Sequence, residues 1–168
     1  EEGRLWIGTN DNGVSIYVRD KISNILTVQN DLASNSIRCI AEDEQGNYYI
    51  GTSNALSIVT ISNGLKVRKT LQEIMYARSI ATGKAGDVAV VNNSGQLFII
   101  NNQMIKETFT LKTGNAETFY TCCKYMDNGD LLVGTTTNEM YRLRKTNGKY
   151  RTIKRYTTGN LQQISSIA

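Results

Sequence analysis

Short runs rich in β-branched and aromatic residues alternate along this chain with polar clusters of Gly, Asn and Asp. The first run covers Arg4 to Asn10. In the next stretch four runs follow one another, at Ser36–Glu42, Asn47–Ser53, Leu56–Ile61 and Leu65–Leu71. Four more lie at Arg78–Thr82, Asp87–Asn92, Gln96–Ile100 and Met104–Leu111. A last set lies at Thr118–Met126, Asp130–Thr136, Met140–Arg144 and Lys149–Tyr156. Such runs suit a pleated, half-buried surface, so each predicts a β-strand. Between them stand Asn10-Asp11-Asn12-Gly13, Glu44-Gln45-Gly46, Asn93-Ser94-Gly95, Asp127-Asn128-Gly129 and Thr146-Asn147-Gly148. With no proline in the chain, these residues supply the turns. Helix is nearly absent from this pattern; Thr70–Arg78 has room for a single turn.

The runs repeat. Gly3-Arg4-Leu5-Trp6-Ile7-Gly8-Thr9 returns as Gly46-Asn47-Tyr48-Tyr49-Ile50-Gly51-Thr52 and as Gly129-Asp130-Leu131-Leu132-Val133-Gly134-Thr135. A degenerate copy, Gly86-Asp87-Val88-Ala89-Val90-Val91-Asn92, sits between them. Successive first glycines are 43, 40 and 43 residues apart. Four short strands per period of about forty residues predict an all-β fold, a β-propeller. A lone four-stranded sheet cannot bury both faces, so such sheets stack around an axis. The blades are expected at residues 1–35, 36–76, 77–116 and 117–162, with 163–168 an inner strand of the next blade or of a closed ring. The first copy lacks an inner strand. Trp6 and Tyr49 are expected as packing plugs between sheets. Gly8, Gly51 and Gly134 are expected to leave room for the neighbouring sheet or to permit a bulge. Thr9, Thr52 and Thr135 are placed to bond a nearby turn. In the third copy Val91-Asn92 replaces Gly-Thr, and Gly83 replaces the acidic residue seen at Asp43 and Asp127, so a local adjustment is expected there. Four periods leave three architectures open: a closed four-bladed ring, with the segment at Ala168 beside Arg4, an open arc of a larger propeller of six to eight blades, about seven, or two arcs joined between chains.

Chemistry is sparse. The chain has no histidine, which removes the commonest general base and metal ligand and any Ser-His-Asp or Cys-His system within it. Cys39, Cys122 and Cys123 lack a CxxC spacing, so neither a zinc site nor a disulfide framework is expected. Adjacent Cys122 and Cys123 point to opposite faces of one strand. No metal, cofactor or catalytic residue is assigned. The net charge is +4, and seven of the ten basic residues in 85–168 fall between Arg142 and Arg155. That stripe reads as a solvated outer hairpin protecting a strand edge rather than as a nucleic-acid surface. No apolar run approaches the roughly 18 residues that span a bilayer. The opening on Glu1-Glu2-Gly3 in mid-repeat reads as a piece of something longer.

The stretch Asn35-Ser36-Ile37-Arg38-Cys39-Ile40-Ala41-Glu42-Asp43-Glu44-Gln45-Gly46-Asn47-Tyr48-Tyr49-Ile50-Gly51-Thr52 resembles the two-component regulator propeller repeat. Gly3 to Tyr17 is similar to the second half of another copy, and Asp127 to Thr135 keeps the turn and the Val-Gly-Thr. The resemblance implies a sensor: the extracytoplasmic, periplasmic or cell-surface input region of a bacterial membrane signalling protein. Its output would be a histidine kinase with a response regulator, or a diguanylate cyclase, outside this stretch. It also implies a link to polysaccharide breakdown products. The residues expected to meet such a ligand are those at one repeat position near the axis: Arg38, Arg78, Thr121 and Ser165. An arginine there suits a carboxylate or sugar hydroxyls, or else pairs with Glu42 or Asp43. Two alternatives stand beside the oligosaccharide-binding sensor: a protein-interaction or homodimerisation scaffold, and an enzyme. The second is disfavoured by the lack of histidine. Expected partners are thus a small polar ligand, the remaining blades and signalling domains of a parent chain, and a possible second copy, but not nucleic acid.

Overall fold

A computed structural model describes residues 3–61, 64–110, 118–157, 159 and 163–167. Four antiparallel meanders follow one another. The first holds β1 (Arg4–Gly8), β2 (Val14–Val18) and β3 (Lys21–Leu26). The second holds β4 (Ile37–Glu42), β5 (Asn47–Thr52), β6 (Leu56–Thr60) and β7 (Lys66–Leu71). The third holds β8 (Ala77–Thr82), β9 (Val88–Asn92), β10 (Gln96–Asn101) and β11 (Met104–Thr110). The fourth holds β12 (Tyr120–Tyr125), β13 (Leu131–Thr135), β14 (Glu139–Thr146) and β15 (Lys149–Thr157). The degenerate third copy keeps all four strands. Thr70–Arg78, with room for one turn, holds a turn closed by the Ile74 N–H on the Leu71 carbonyl, and short 3-10 turns occupy Val28–Asn30 and Lys84–Gly86. Leu111 and Ala168 lie outside the described residues.

Turn chemistry sets the hairpins. Gly13 adopts φ +73°, and a Cβ there would meet the Leu26 carbonyl oxygen at 2.0 Å. Only glycine fits both the left-handed backbone and that approach. The Thr9 hydroxyl donates to the Gly13 carbonyl at 2.9 Å, Thr52 to Ala55 at 2.8 Å and Thr135 to Glu139 at 2.8 Å. The threonine of the Gly-Thr pair therefore locks the turn that follows it. Asn92 takes that place in the third sheet, where its Oδ1 accepts from the Gln96 N–H at 2.9 Å.

Packing runs between sheets. Three apolar cores fill the three boundaries. The first joins Val14, Ile16 and Leu26 to Tyr48, Ile50 and Val59, with Trp6 against it. The second joins Tyr49, Leu56 and Ile58 to Val88, Val90 and Ile100. The third joins Ala89, Val91 and Ile99 to Leu131, Val133 and Tyr150. Each fully buried Ile or Leu in them contributes about 1.5–3 kcal/mol. Trp6 stacks on Tyr48 with ring centroids 3.8 Å apart, and Tyr49 is 2% exposed in the next core.

The repeat glycines are explained by the next sheet. A Cβ on Gly8 would meet Ile37 Cγ2 at 2.5 Å; on Gly51, Ala77 Cβ at 2.6 Å; on Gly134, Ile164 Cγ2 at 2.7 Å. The first residue of each following inner strand rests where a side chain would otherwise stand. The Ile37 N–H donates to the Thr9 carbonyl at 2.8 Å, and the Ile164 N–H to the Thr135 carbonyl at 3.0 Å. Residues 163–167 thus enter as the next inner strand would. They do not close a four-bladed ring: among the described residues β2 is the only strand that pairs with β1. The structure is an open arc.

Candidate functional site

The inner strands β4, β8 and β12 lie side by side along the hub. Each pairs with its neighbour through the same irregularity. The register slips between Ile37 and Cys39, between Ala77 and Ser79, and between Tyr120 and Cys122. The residue left without a ladder partner is Arg38, Arg78 or Thr121, the position singled out from sequence. A bulge bends its strand and re-aims that side chain. Arg38 and Arg78 are exposed. The Arg38 guanidinium lies 5.9 Å from the centre of the Tyr76 ring, and Tyr76 is itself 48% exposed at φ +50°. That backbone is held at both ends, by the Ser53 carbonyl and the Asn93 N–H. Ser36 and Ser53 meet beside it through their hydroxyls at 3.0 Å. Ser165 is exposed at the corresponding place after Ile164. Thr121 is not part of this surface: it is buried, and its hydroxyl donates to the Ile164 carbonyl. The axial end therefore presents two arginines, an aromatic ring and hydroxyls. Asp43 does not meet Arg38 in an ion pair. Its carboxylate accepts from the backbone N–H groups of Gln45 and Asn47, at 3.0 and 2.9 Å, and from the Asn47 side chain.

The opposite end, where the hairpin turns of the inner strands lie, holds a polar cluster. Asp87, 4% exposed, accepts from Lys145 Nζ at 2.7 Å, the Tyr150 hydroxyl at 2.8 Å and Asn101 Nδ2 at 2.8 Å. Asp130, 2% exposed, is gripped by Arg144 through two bonds of 2.8 Å and by Arg142 Nε at 2.6 Å. Hydrogen bonds from Arg144, then those from Arg142 with the charge of both, hold the Asp130 carboxyl well below the usual range against its burial. Burial pushes the Tyr125 and Tyr150 hydroxyls up; they stand 3.2 Å apart. A cleft of about 330 Å³ opens here between the third and fourth sheets, and another of about 290 Å³ between the second and third.

Two sequence readings need correction. Asp127 does not correspond to Asp43. The Asp43 N–H pairs with the Asn47 carbonyl, Gly83 with Asp87, and Met126 with Asp130, so Met126 stands where Asp43 does. The recurring polar position follows the turn glycine, at Asn47, Asp87 and Asp130, and that signal was open to reading. Nor is the Arg142–Arg155 stripe simply a solvated hairpin: Arg142, Arg144 and Lys145 reach buried carboxylates, and Arg155 pairs with Glu139. The thiols take packing roles. Cys39 Sγ lies 3.6 Å from the Ala77 carbonyl and Cys122 Sγ 3.6 Å from that of Ile164. Cys123 turns the other way, 3.6 Å from the Ala89 carbonyl. Burial pushes Cys39 and Cys123 up to about 12.

Four stacked meanders around a common line of inner strands define a β-propeller arc. Residues 31–54 match the family described as two component regulator propeller. No curated protein matches the chain by sequence. Among solved structures, Sqt1 of Saccharomyces cerevisiae is similar at a TM-score of 0.80 and 13% identity, over 97% of this chain and 46% of that one. The WD40 propeller domain of Doa1 is similar at 0.74 and 18%, over 100% and 54%. Catalytically inactive virginiamycin B lyase from Staphylococcus aureus, solved with quinupristin, is similar at 0.71 and 15%, over 96% and 54%. The chain spans about half the length of these propellers, and at such identities the likeness is one of fold. Among the described residues no helix is long and apolar enough to cross a membrane.

Proposed function

We propose that this chain is a non-catalytic, ligand-sensing propeller segment of a bacterial membrane signalling protein. In this reading it lies outside the cytoplasm and takes a small polar ligand, such as an oligosaccharide, at the axial end. The observation that carries the proposal is the repeated bulge, which leaves Arg38 and Arg78 out of the ladder, Arg38 with its guanidinium by the exposed Tyr76 ring. Guanidinium groups bond carboxylates and vicinal hydroxyls in a plane, and an exposed ring gives a sugar face something to stack on. The match at residues 31–54 supports the signalling context.

A catalytic reading has less behind it. The lyase among the similar structures was inactivated by replacing a histidine, and this chain has none. Its raised thiols stay protonated at neutral pH and make poor nucleophiles. The test is a thermal-shift screen of neutral and acidic oligosaccharides. A ligand that raises the melting temperature is expected to lose at least about tenfold in affinity with Arg38→Ala or Arg78→Ala, since each bond to a charged group is worth about 1.5–3 kcal/mol. Binding that neither substitution weakens would refute the site, and turnover of any glycan would refute the non-catalytic reading.

A further inference from the structure

At the end that holds Asp87, a second cleft of about 370 Å³ opens between the third and fourth sheets. Asp87 and Lys145 line both clefts, and buried Ile99 gives this one an apolar wall. Three lysines reach it from two sheets. Lys145 and Lys149 come from the hairpin of β14 and β15, whose turn residues Asn147 and Gly148 adopt φ +51° and +77°. Lys106 comes from β11. There Glu107 stands opposite Ile99 and Ile105 opposite Ile100, so Lys106 is the residue left out of the ladder. A bulge re-aims such a side chain, and this one lines the cleft.

Acceptors in this cleft are engaged by the protein, whereas donors are in surplus. Asp87 has its bonds from Lys145, Tyr150 and Asn101, and Glu107 Oε1 accepts from the Tyr150 N–H at 2.9 Å. Of the three ammonium groups, only that of Lys145 meets a carboxylate; those of Lys106 and Lys149 have no acceptor among the described residues. An ammonium brings three donors and no acceptor of its own. Three such groups against two carboxylates leave a net positive charge, and Lys84 and Arg144 of the adjoining cleft, with Asp130, raise it further.

We propose that this cleft binds a small organic phosphate, held between the third and fourth sheets by Lys106, Lys145 and Lys149. A phosphate monoester carries about 1.5 to 2 negative charges at pH 7 and presents three acceptor oxygens. Lysine meets it as a point charge, whereas a planar carboxylate is better matched by the fork of an arginine. Size argues for more than the bare anion. Ligand clefts start at about 300 Å³, and a single water takes only about 30 Å³. The rest of the molecule lies against Ile99 and Asn101. This site is distinct from the axial end and does not depend on what binds there.

Isothermal titration of the chain at low ionic strength with glucose 6-phosphate, glycerol 3-phosphate, inorganic phosphate and glucose tests this. At least one of the two esters is expected to bind saturably, about tenfold or more tighter than phosphate or glucose. Lys106→Ala combined with Lys149→Ala is expected to weaken that binding about tenfold or more, since each removes a bond to a charged group. Both side chains are exposed, so the circular dichroism and melting of the double variant should match those of the parent. Lys66→Ala, on β7, and Arg38→Ala should leave the affinity unchanged. Failure of both esters to bind at millimolar concentration would overturn the proposal. So would phosphate or glucose binding as tightly as the esters, or an ester whose affinity the double variant leaves intact. Equal weakening by Lys66→Ala would overturn it too, as a response to the overall positive charge of the chain.

Discussion

Asp87 and Asp130 are buried carboxylates that survive in the fold because each meets cations and donors within 2.9 Å. An isolated buried charge would be neutralised or expelled. Asp130 is the more informative, since its carboxyl is held below the usual range chiefly by Arg144. A group whose proton affinity falls on folding adds stability above its unfolded value near pH 4, and that contribution disappears as pH drops through the folded value. Asp130→Asn should therefore lower the urea midpoint at pH 7. The gap from the parent should shrink steadily below about pH 4. Arg142 and Arg144 are partly solvated, which tempers the loss. Equal midpoints at pH 7 would show that the arginines contribute nothing to stability there.

The first, second and fourth sheets repeat one steric device, a glycine (Gly8, Gly51 or Gly134) under the first residue of the following inner strand, while Val91 holds that place in the third. Gly51→Ala would drive a Cβ to 2.6 Å from both Ala77 Cβ and Cys39 Sγ, so something must shift. Overpacking of this kind costs about 1–3 kcal/mol. Gly46→Ala is a useful contrast, because nothing lies within 4 Å of its Cβ and only its φ of +75° resists. That change should cost about 1–2 kcal/mol and leave the boundary untouched, whereas Gly51→Ala should also perturb the Tyr49 environment. Thermal melts with tyrosine fluorescence separate the two. These glycines were legible in the sequence, as were the strands and turns, because each records a constraint within one repeat. The bulge residues Arg38, Arg78 and Thr121 were legible too, since a shared repeat position marks a shared geometry. Asp87 with Lys145 was not: the partners are 58 residues apart and meet only when the third and fourth sheets stack. The mistaken match of Asp127 with Asp43 has a related cause. Both are acidic turn residues, but the backbone ladder, not side-chain type, decides which residues correspond.

Stability in a stacked array is shared among nearest-neighbour boundaries, so the arc responds as a whole to whatever loosens them. Its titratable core groups make that response readable. Cys39 lies beside the second boundary, and Cys123 and Tyr120 in the third; burial pushes all three up to about 12. The ordinary values are 9.0 for the thiols and 10.0 for the phenol. Folding thus raises each group's hold on its proton. Below pH 9 folded and unfolded chains are both protonated and the full stability is present. Between pH 9 and 12 the unfolded chain ionises first, and stability falls as the pH climbs toward the folded values. With Asp130 eroding the acid side, the melting temperature should form a plateau from about pH 5 to pH 8 and decline on both sides. The alkaline decline has its own chemical check. Iodoacetamide at pH 8.5 should label Cys39 and Cys123 slowly in the folded chain and promptly in urea, because the thiolate is the reacting species. Cys39→Ser with Cys123→Ser should flatten the upper limb between pH 9 and 11, leaving only the tyrosines. An unchanged limb in that double variant, together with fast labelling of the folded parent, would mean that the boundaries open freely to water.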